Sequence, residues 1–414
     1  MSKKTLKLGL FGFGCVGQGL YSVLNQTKGI RASVEKICIK HPEKSRSIDA
    51  HYFTTMADDI LDNPEIDVVV ELIDDADAAY YIVKKALMNR KAVVTANKKM
   101  LAEHLPELYA LQQEYQTPLL YEASSCASIP IIRNLEEYYD NDLLSAISGI
   151  FNGSTNYILS QMWDNGKEYS DALKEAQEKG FAESDPLLDV GGFDPKYKLC
   201  ITILHAFGLF VKPENVFNYG IQNLNKQDVT YAQQHGKKIK LLASAQKYGN
   251  KVTGFVIPAF VEADNPLINV HNEFNGIILQ GAFANSQFFL GKGAGSSPTG
   301  SAVLSDISAL TYDYRYEYKK IAQNSDLEFS QDQLLEVYVR YVDRNDLNLS
   351  DFDNISQRFE SAAYSYVIGE INLDKLNNLP WTKNPNVSLI VNKILSTVKE
   401  EFAIPGHKEL EYVV

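Results

Sequence analysis

Apolar positions in the first third of the chain come in short runs separated by stretches with helical spacing. Residues 5 to 14 (TLKLGLFGFG) are apolar and run straight into glycines, which predicts a strand. Val16, Leu20, Val23 and Leu24 then recur at the three- and four-residue spacing of a helix over 15 to 27. Further strands are predicted at Val34 to Ile39, Val68 to Ile73, Ala92 to Ala96 and Leu119 to Glu122, with amphipathic helices near 76 to 89 and 99 to 115. Strand and helix alternating in this way make a doubly wound parallel sheet of the α/β class. The middle of the chain changes character: a strand over Leu144 to Phe151, a polar turn Asn152-Gly153-Ser154-Thr155, a helix from Asn156, and a long apolar helix expected to open with Asp194 as N-cap and Pro195 as its first residue. Beyond residue 325 the pattern predicts a strand (Leu334 to Val342), a helix (Phe352 to Ala362), a strand (Tyr364 to Ile371) and a helix (Val387 to Glu400).

Length and composition narrow the classes. At about 150 residues per domain, 414 residues suggest about three domains, and 45% apolar residues can build a core. With 52 acidic against 40 basic residues the net charge is −12, the wrong sign for neutralising nucleic-acid phosphates. The four cysteines are scattered singly, which excludes a dense disulfide framework and points to a reducing, cytoplasmic setting. The seven histidines form no cluster along the sequence that would favour a transition-metal site. The basic start MSKK followed by apolar residues is read as the approach to a strand rather than as a signal peptide. The longest apolar run, Leu199 to Val211, is interrupted by Thr202, His205 and Gly208 and falls short of the ~20 residues that span a bilayer, so no membrane segment is expected.

The glycines after the first strand carry chemistry. Gly12-Phe13-Gly14-Cys15-Val16-Gly17 is a G-x-G-x-x-G between a strand and a helix, the context in which the pattern signals dinucleotide binding. Gly12 permits the sharp turn, Gly14 lets a pyrophosphate reach the backbone, and Gly17 lets the helix pack on the strand with its N-terminus toward the anion. The sheet is therefore expected to be of the Rossmann type. Where an acidic residue would bind the ribose of NAD, the second strand ends in Lys40 and His41, followed by Lys44 and Arg46. This cationic end suits the 2′-phosphate of NADP, with NAD the competing cofactor. Ligands sit beyond the carboxyl ends of such strands, which directs attention to Asp74-Asp75, Asn97-Lys98 and Glu122 to Ser128. Lys98 reads either as a lysine beside bound substrate or as a surface lysine that starts a helix.

Residues 181 to 189 (FAESDPLLD) place Glu183, Asp185 and Asp189 in one loop, and Asp194-Pro195-Lys196-Tyr197-Lys198 follows. Asp194 and Lys198 are four apart and share a helix face, Lys198 near the positive end of the helix dipole, a placement that suits a proton-transfer lysine. Glu183 and Asp185 could hold an ammonium group. A capping motif with a surface ion pair fits the same spacing equally.

TANK at 95 to 98, YEAS at 121 to 124, IPII at 129 to 132, FNGSTNYIL at 151 to 159, GFAESDPLLDVGGFDPKYKL at 180 to 199 and GKGAGSSPTGSAVLSD at 291 to 306 resemble, in order, homoserine dehydrogenase. The resemblance covers roughly three quarters of the chain. It implies a reversible, NAD(P)-dependent interconversion of L-homoserine and L-aspartate 4-semialdehyde, in the branch toward threonine and methionine. By motif, Lys198 would exchange the proton at the substrate oxygen with Lys98 as a second lysine beside it, and Glu183 and Asp194 would bind homoserine with Asp189 nearby. Gly180 and Gly295 would lie against the cofactor. A monovalent cation, sodium, would sit on Glu122 and the carbonyls of Ser125, Ala127 and Ile129. The small-molecule substrate would be the partner, and a homodimer or higher homo-oligomer paired through the middle domain is expected.

Three domains follow from these patterns: a cofactor domain over 1–135, a substrate and dimerisation domain over 136–320, and a C-terminal domain over 325–414 that resembles a degenerate ACT domain. Two departures from the family pattern stand out. Asp74-Asp75 replaces a Gly-Gly pair near the cofactor, where carboxylates would repel a pyrophosphate unless they face solvent or cap the next helix, and Ala127-Ser128 replaces Gly-Gly in the cation loop. They motivate the competing expectation of a catalytically impaired homologue that acts as a cofactor- or amino-acid-binding regulatory module.

Overall fold

The computed structural model describes residues 5–141, 143–324 and 326–395. They divide into two units, the first taking its described residues from Met1–Asn141, Cys200–Pro213 and Gly291–Ser325, the second from Asp142–Leu199, Glu214–Leu290 and Asp326–Val414.

The first unit is built on the expected doubly wound sheet. Its strands β1 (Leu6–Phe11), β2 (Ala32–Cys38), β3 (Phe53–Thr54), β4 (Val68–Glu71), β5 (Ala92–Thr95) and β6 (Leu119–Leu120) run parallel in the order β3-β2-β1-β4-β5-β6. This order reverses direction at β1 and β4, where such sheets open a crevice for a dinucleotide. Every position of β4, VVVE, is buried, as for a central strand covered on both faces. Helices Cys15–Gln26, Ala76–Met88 and Lys98–Tyr115 follow β1, β4 and β5 as their spacing predicts. The late segment Ser296–Leu310 forms a helix against the first one. Their backbones touch through glycines: a Cβ on Gly19 would lie 2.1 Å from the Ser296 carbonyl, and one on Gly300 2.5 Å from the Leu20 nitrogen.

The second unit carries a mixed sheet of eleven strands among the described residues. Leu144–Ile150 pairs with Phe274–Gly281 and Lys238–Tyr248, and Lys238–Tyr248 forms a long hairpin with Lys251–Val261. The C-terminal strands then continue the sheet: Ser388–Leu395, Leu334–Tyr341, Ser365–Asn372 and Asn354–Glu360, in that order. Two elements differ from expectation here. Asn354–Glu360 is an edge strand where Phe352 to Ala362 was expected to be helical, and Ser388–Leu395 is a buried strand where Val387 to Glu400 was expected to be a helix; residues 396–400 lie outside the described residues. Short apolar runs do not separate helix from strand by periodicity. SLIVNKIL found its place between two strands, Lys251–Val261 and Leu334–Tyr341, whose edges it satisfies. The core of this unit gathers Phe217, Ile257, Val337, Val367, Leu389 and Trp381, so the C-terminal residues share one apolar cluster with the middle ones.

All four thiols are free, and among the described residues no helix is long and apolar enough to cross a membrane.

Candidate active site

The glycine turn of the first unit has the geometry its residues require. Gly12 adopts φ +96, and a Cβ there would meet the Leu72 carbonyl at 2.6 Å; one on Gly17 would meet the Gly12 carbonyl at 2.5 Å. Gly14, the N-cap of helix Cys15–Gln26, has nothing within 4 Å of the place a Cβ would occupy, and neither a side chain nor an acidic residue caps that first turn. An uncapped helix end with open space before it is the cradle that a pyrophosphate fits. Phe13 is buried, packing edge-on to Tyr21 and Phe53, which fixes the turn from below. Beyond β2, Arg46 donates to the carbonyls of Lys44 and His41, both at 2.7 Å, and lies over the Phe53 ring. It shapes the loop and leaves Lys40 and Lys44 exposed.

The loop after β4 settles how the two unexpected aspartates are used. Asp75 caps helix Ala76–Met88, accepting from the Ala78 N–H at 3.0 Å, and Asp74 is exposed. A residue that the motifs did not single out controls this region. Glu71, the last residue of β4, is fully buried; it accepts from the Ile73 N–H (2.7 Å) and the Thr95 hydroxyl (2.5 Å). Thr95 in turn accepts from the Asn97 N–H at 3.0 Å, and the Asn97 amide donates to the Ile73 carbonyl at 3.0 Å, closing a ring that joins the loops after β4 and β5. Asn97 also caps the helix whose first residue is the half-buried Lys98.

Burial pushes the Glu71 carboxyl up to about 7, against the hydrogen bonds from Thr95 and Ile73, with Asp74 adding to the rise. A carboxyl raised above its unfolded value stabilises the fold fully below that value and loses the contribution as pH rises through 7. Glu71→Gln keeps the shape without the ionisation. It should therefore gain about 2–3 kcal/mol of stability over the parent between pH 5 and pH 8. Urea unfolding of both proteins at the two pH values reads this directly, and a difference independent of pH would refute it.

In the loop after β6, both Glu122 oxygens accept backbone N–H groups of helix Ile131–Glu137, from Ile132 and Arg133 at 2.8 Å each. Burial raises this carboxyl, opposed by those bonds and by the Arg133 guanidinium 3.8 Å away. With its carboxylate so engaged, Glu122 has its main-chain carbonyl to offer a cation. Ser125 brings a buried hydroxyl without a partner, and Ala127 is held at φ +40, a strained conformation for a residue with a Cβ. Ser128 donates through its hydroxyl to the Lys292 carbonyl at 2.9 Å, a tie that glycine could not make. Among the described residues no three His, Cys, Asp or Glu side chains converge as a metal site. The orphaned Ser125 hydroxyl and the loop carbonyls fit a monovalent ion bound by neutral oxygens.

The second unit assembles the acidic loop and its lysine. The long helix runs Phe193–Phe207, starting one residue before the expected N-cap, so Asp194 lies inside its first turn. The Lys198 Nζ donates to the Asp194 Oδ2 and to the Phe151 carbonyl, each at 2.8 Å, with both side chains buried. This is not a surface ion pair. The Asn152 amide donates to Asp194 Oδ2 and to Asp189 Oδ1, again at 2.8 Å each. Lys198, Asp194 and Asp189 thus form one hydrogen-bonded group around the 151–152 turn, while Glu183 and Asp185 stay exposed on the loop that leads to it. The turn itself is held: Gln177 donates to the Glu183 carbonyl at 2.9 Å, and Asn218 links the Gly191 carbonyl to the Lys196 ammonium, 2.7 Å on each side. Gly180, at φ +75, is free of neighbours on its Cβ side; Gly295, at φ +120, precedes helix Ser296–Leu310 in the first unit.

Sequence patterns therefore located the lysine and its carboxylates and missed Asn152 and Glu71. FNGST was legible as a polar turn, and S/T/N before a helix is an N-cap signal, but nothing in the spacing tells that the amide beyond the cap meets two carboxylates forty residues away. The last letter of VVVE was legible only as the end of a strand.

Two family models match the chain. The family model described as homoserine dehydrogenase matches residues 130–308, and that described as homoserine dehydrogenase, NAD binding domain, matches residues 12–122. The homoserine dehydrogenase of Bacillus subtilis is 32% identical over 419 residues, covering 97% of this chain and 94% of its own. That of Helicobacter pylori is 36% identical over 312 residues, covering 74% and 73%. The crystal structure of a homoserine dehydrogenase from Thiobacillus denitrificans superimposes with a TM-score of 0.83 at 29% identity, covering 94% of this chain and 98% of that one.

Proposed function

The chain belongs to the homoserine dehydrogenase family, NAD(P)-dependent oxidoreductases that interconvert L-homoserine and L-aspartate 4-semialdehyde, and we propose that Lys198 is the group that moves the proton in this reaction. The observation that carries the proposal is the buried ammonium fixed between the Asp194 carboxylate and the Phe151 carbonyl. A nicotinamide cofactor, when bound, supplies or takes up the hydride. Two of the three Lys198 N–H bonds are held by those acceptors, and the third is for the substrate oxygen. As the aldehyde is reduced, negative charge grows on that oxygen; the ammonium stabilises it and then gives up its proton. In the reverse direction the neutral amine accepts the hydroxyl proton, and Asp194 keeps the resulting cation in place. Asp189, Asp194 and the exposed Glu183 supply the negative charge that binds the ammonium group of the amino acid.

On the first unit, Gly12 to Gly17 hold the pyrophosphate and Lys40 and Lys44 favour a 2′-phosphate, which makes NADP the preferred cofactor. Gly295, on the same unit, lines the nicotinamide end. A sodium ion on the carbonyls of Glu122, Ser125, Ala127 and Ile129 would stiffen the loop after β6. An assay of NADPH and NADH oxidation with L-aspartate 4-semialdehyde, in sodium and in choline buffer, tests these readings together. NADPH should be turned over with the lower KM and sodium should raise the rate; no oxidation of either cofactor would sink the proposal.

A further inference from the structure

Asn152 sits where three requirements meet. Its Oδ1 accepts from the Thr155 N–H at 2.8 Å and so caps helix Gly153–Asn165. Because that N–H is a donor, the orientation of the amide is settled: the oxygen faces the helix and the nitrogen faces Asp189 and Asp194. The residue is 5% exposed, and its helix is anchored one turn further on by Asn156. The Asn156 amide donates to the carbonyls of Val270, Asn272 and Phe274, and its oxygen accepts from the buried Lys240 at 2.9 Å. A side chain held this firmly can hold others.

The chemistry of the amide is specific to the task. Two carboxylates bridged by one nitrogen repel each other, and a donor between them must be present for both to stay charged. A lysine or arginine there would also bridge them but would cancel a negative charge. Asparagine bridges them as a neutral donor, its one nitrogen reaching an oxygen of each.

We propose that Asn152 is a positioning residue that holds Asp189 and Asp194 side by side through its amide nitrogen, and thereby sets the orientation of Lys198. This inference rests on the proposed role of Lys198 and its carboxylates. Its test separates the two functions of the side chain. Asn152→Asp keeps the helix cap, since aspartate caps as well as asparagine, but replaces the bridging donor by a third carboxylate. Asn152→Ser keeps the cap and removes the bridge without adding charge.

Loss of hydrogen bonds to charged groups predicts that both variants raise the KM for L-aspartate 4-semialdehyde by about 10- to 100-fold. The aspartate variant should also lose more kcat than the serine variant. NADPH affinity, measured by fluorescence titration, should remain that of the parent, while the melting temperature falls further in the aspartate variant than in the serine variant. Parent-like substrate KM in both variants would overturn the inference, and so would a joint fall of NADPH affinity, melting temperature and activity in both, which is the signature of a mere structural cap. Lys198→Ala run alongside keeps the failures apart. If that variant retains turnover, the site reading itself is wrong; if it is inactive while Asn152→Asp and Asn152→Ser behave as the parent, only the role of Asn152 fails.

Discussion

Lys198→Ala is expected to lower kcat for semialdehyde reduction by about 10²- to 10⁴-fold while leaving NADPH binding unchanged. The size of the loss follows from where the ammonium is held. The Asp194 carboxylate and the Phe151 carbonyl, both at 2.8 Å, fix Nζ in position, so the proton is delivered without the reorganisation that water would need. Water entering the space left by the side chain would have to find the same two acceptors and still reach the substrate oxygen. The substitution also leaves Asp194 buried with one cation fewer, which by itself destabilises the fold. A second variant distinguishes the two effects: Lys198→Ala combined with Asp194→Asn removes the stranded charge, so it should regain stability in a urea titration and remain as slow as the single variant. Recovery of turnover in the double variant, or turnover in the single one, would show that the proton travels by another route.

The parts of this molecule that could be read from the sequence are those whose signal is local. The β1 turn and its helix need glycine at positions 12 and 17 because of contacts with the loop after β4 and with the turn itself, Gly12 against the Leu72 carbonyl and Gly17 against the Gly12 carbonyl. The Asp194–Lys198 pair needs four-residue spacing on one helix, and both were legible. What could not be read depends on partners far apart in the chain. Glu71 needs Thr95, and Asn152 needs Asp189 and Asp194; each is a common residue in an ordinary local setting until the fold brings its partner. Two C-terminal segments depart from the expected helices for the same reason. Ser388–Leu395 is apolar enough for either structure, and its choice was made by the strand edges on its two sides. Asn354–Glu360 alternates only weakly, with most of its positions exposed, and is a strand because Ser365–Asn372 offers it an edge.

Arg340→Ala is expected to cost about 3–5 kcal/mol of stability, because it strands a buried carboxylate in the centre of the second unit. Arg340 lies on the strand Leu334–Tyr341; its Nε donates to Asp228 Oδ1 at 2.8 Å and its Nη2 to the Asn223 carbonyl at 2.7 Å, with the two side chains 4% and 0% exposed. Asp228 is also part of the capping box of helix Lys226–Gln234, accepting from the Asn225 N–H at 3.0 Å. Burial raises the Asp228 carboxyl, and the arginine is the principal influence that lowers it again. Without Arg340 that carboxyl rises further, so the loss should be larger at pH 8 than at pH 5, where a proton can replace the arginine. Arg340→Met with Asp228→Asn should recover most of the stability, since neither partner then carries an unmatched charge. Urea unfolding of the three proteins at both pH values checks this, and a loss in Arg340→Ala below about 1 kcal/mol would place the pair among contacts that contribute little. The same connection reaches the substrate loop. Asn223 donates to the Val387 carbonyl at 2.9 Å, Tyr219 donates to that carbonyl at 2.7 Å, and the neighbouring Asn218 holds the Gly191 carbonyl and Lys196, two residues before Lys198. The C-terminal strands are therefore a wall of the catalytic unit, and weakening them at Arg340 should raise the substrate KM before it unfolds the protein.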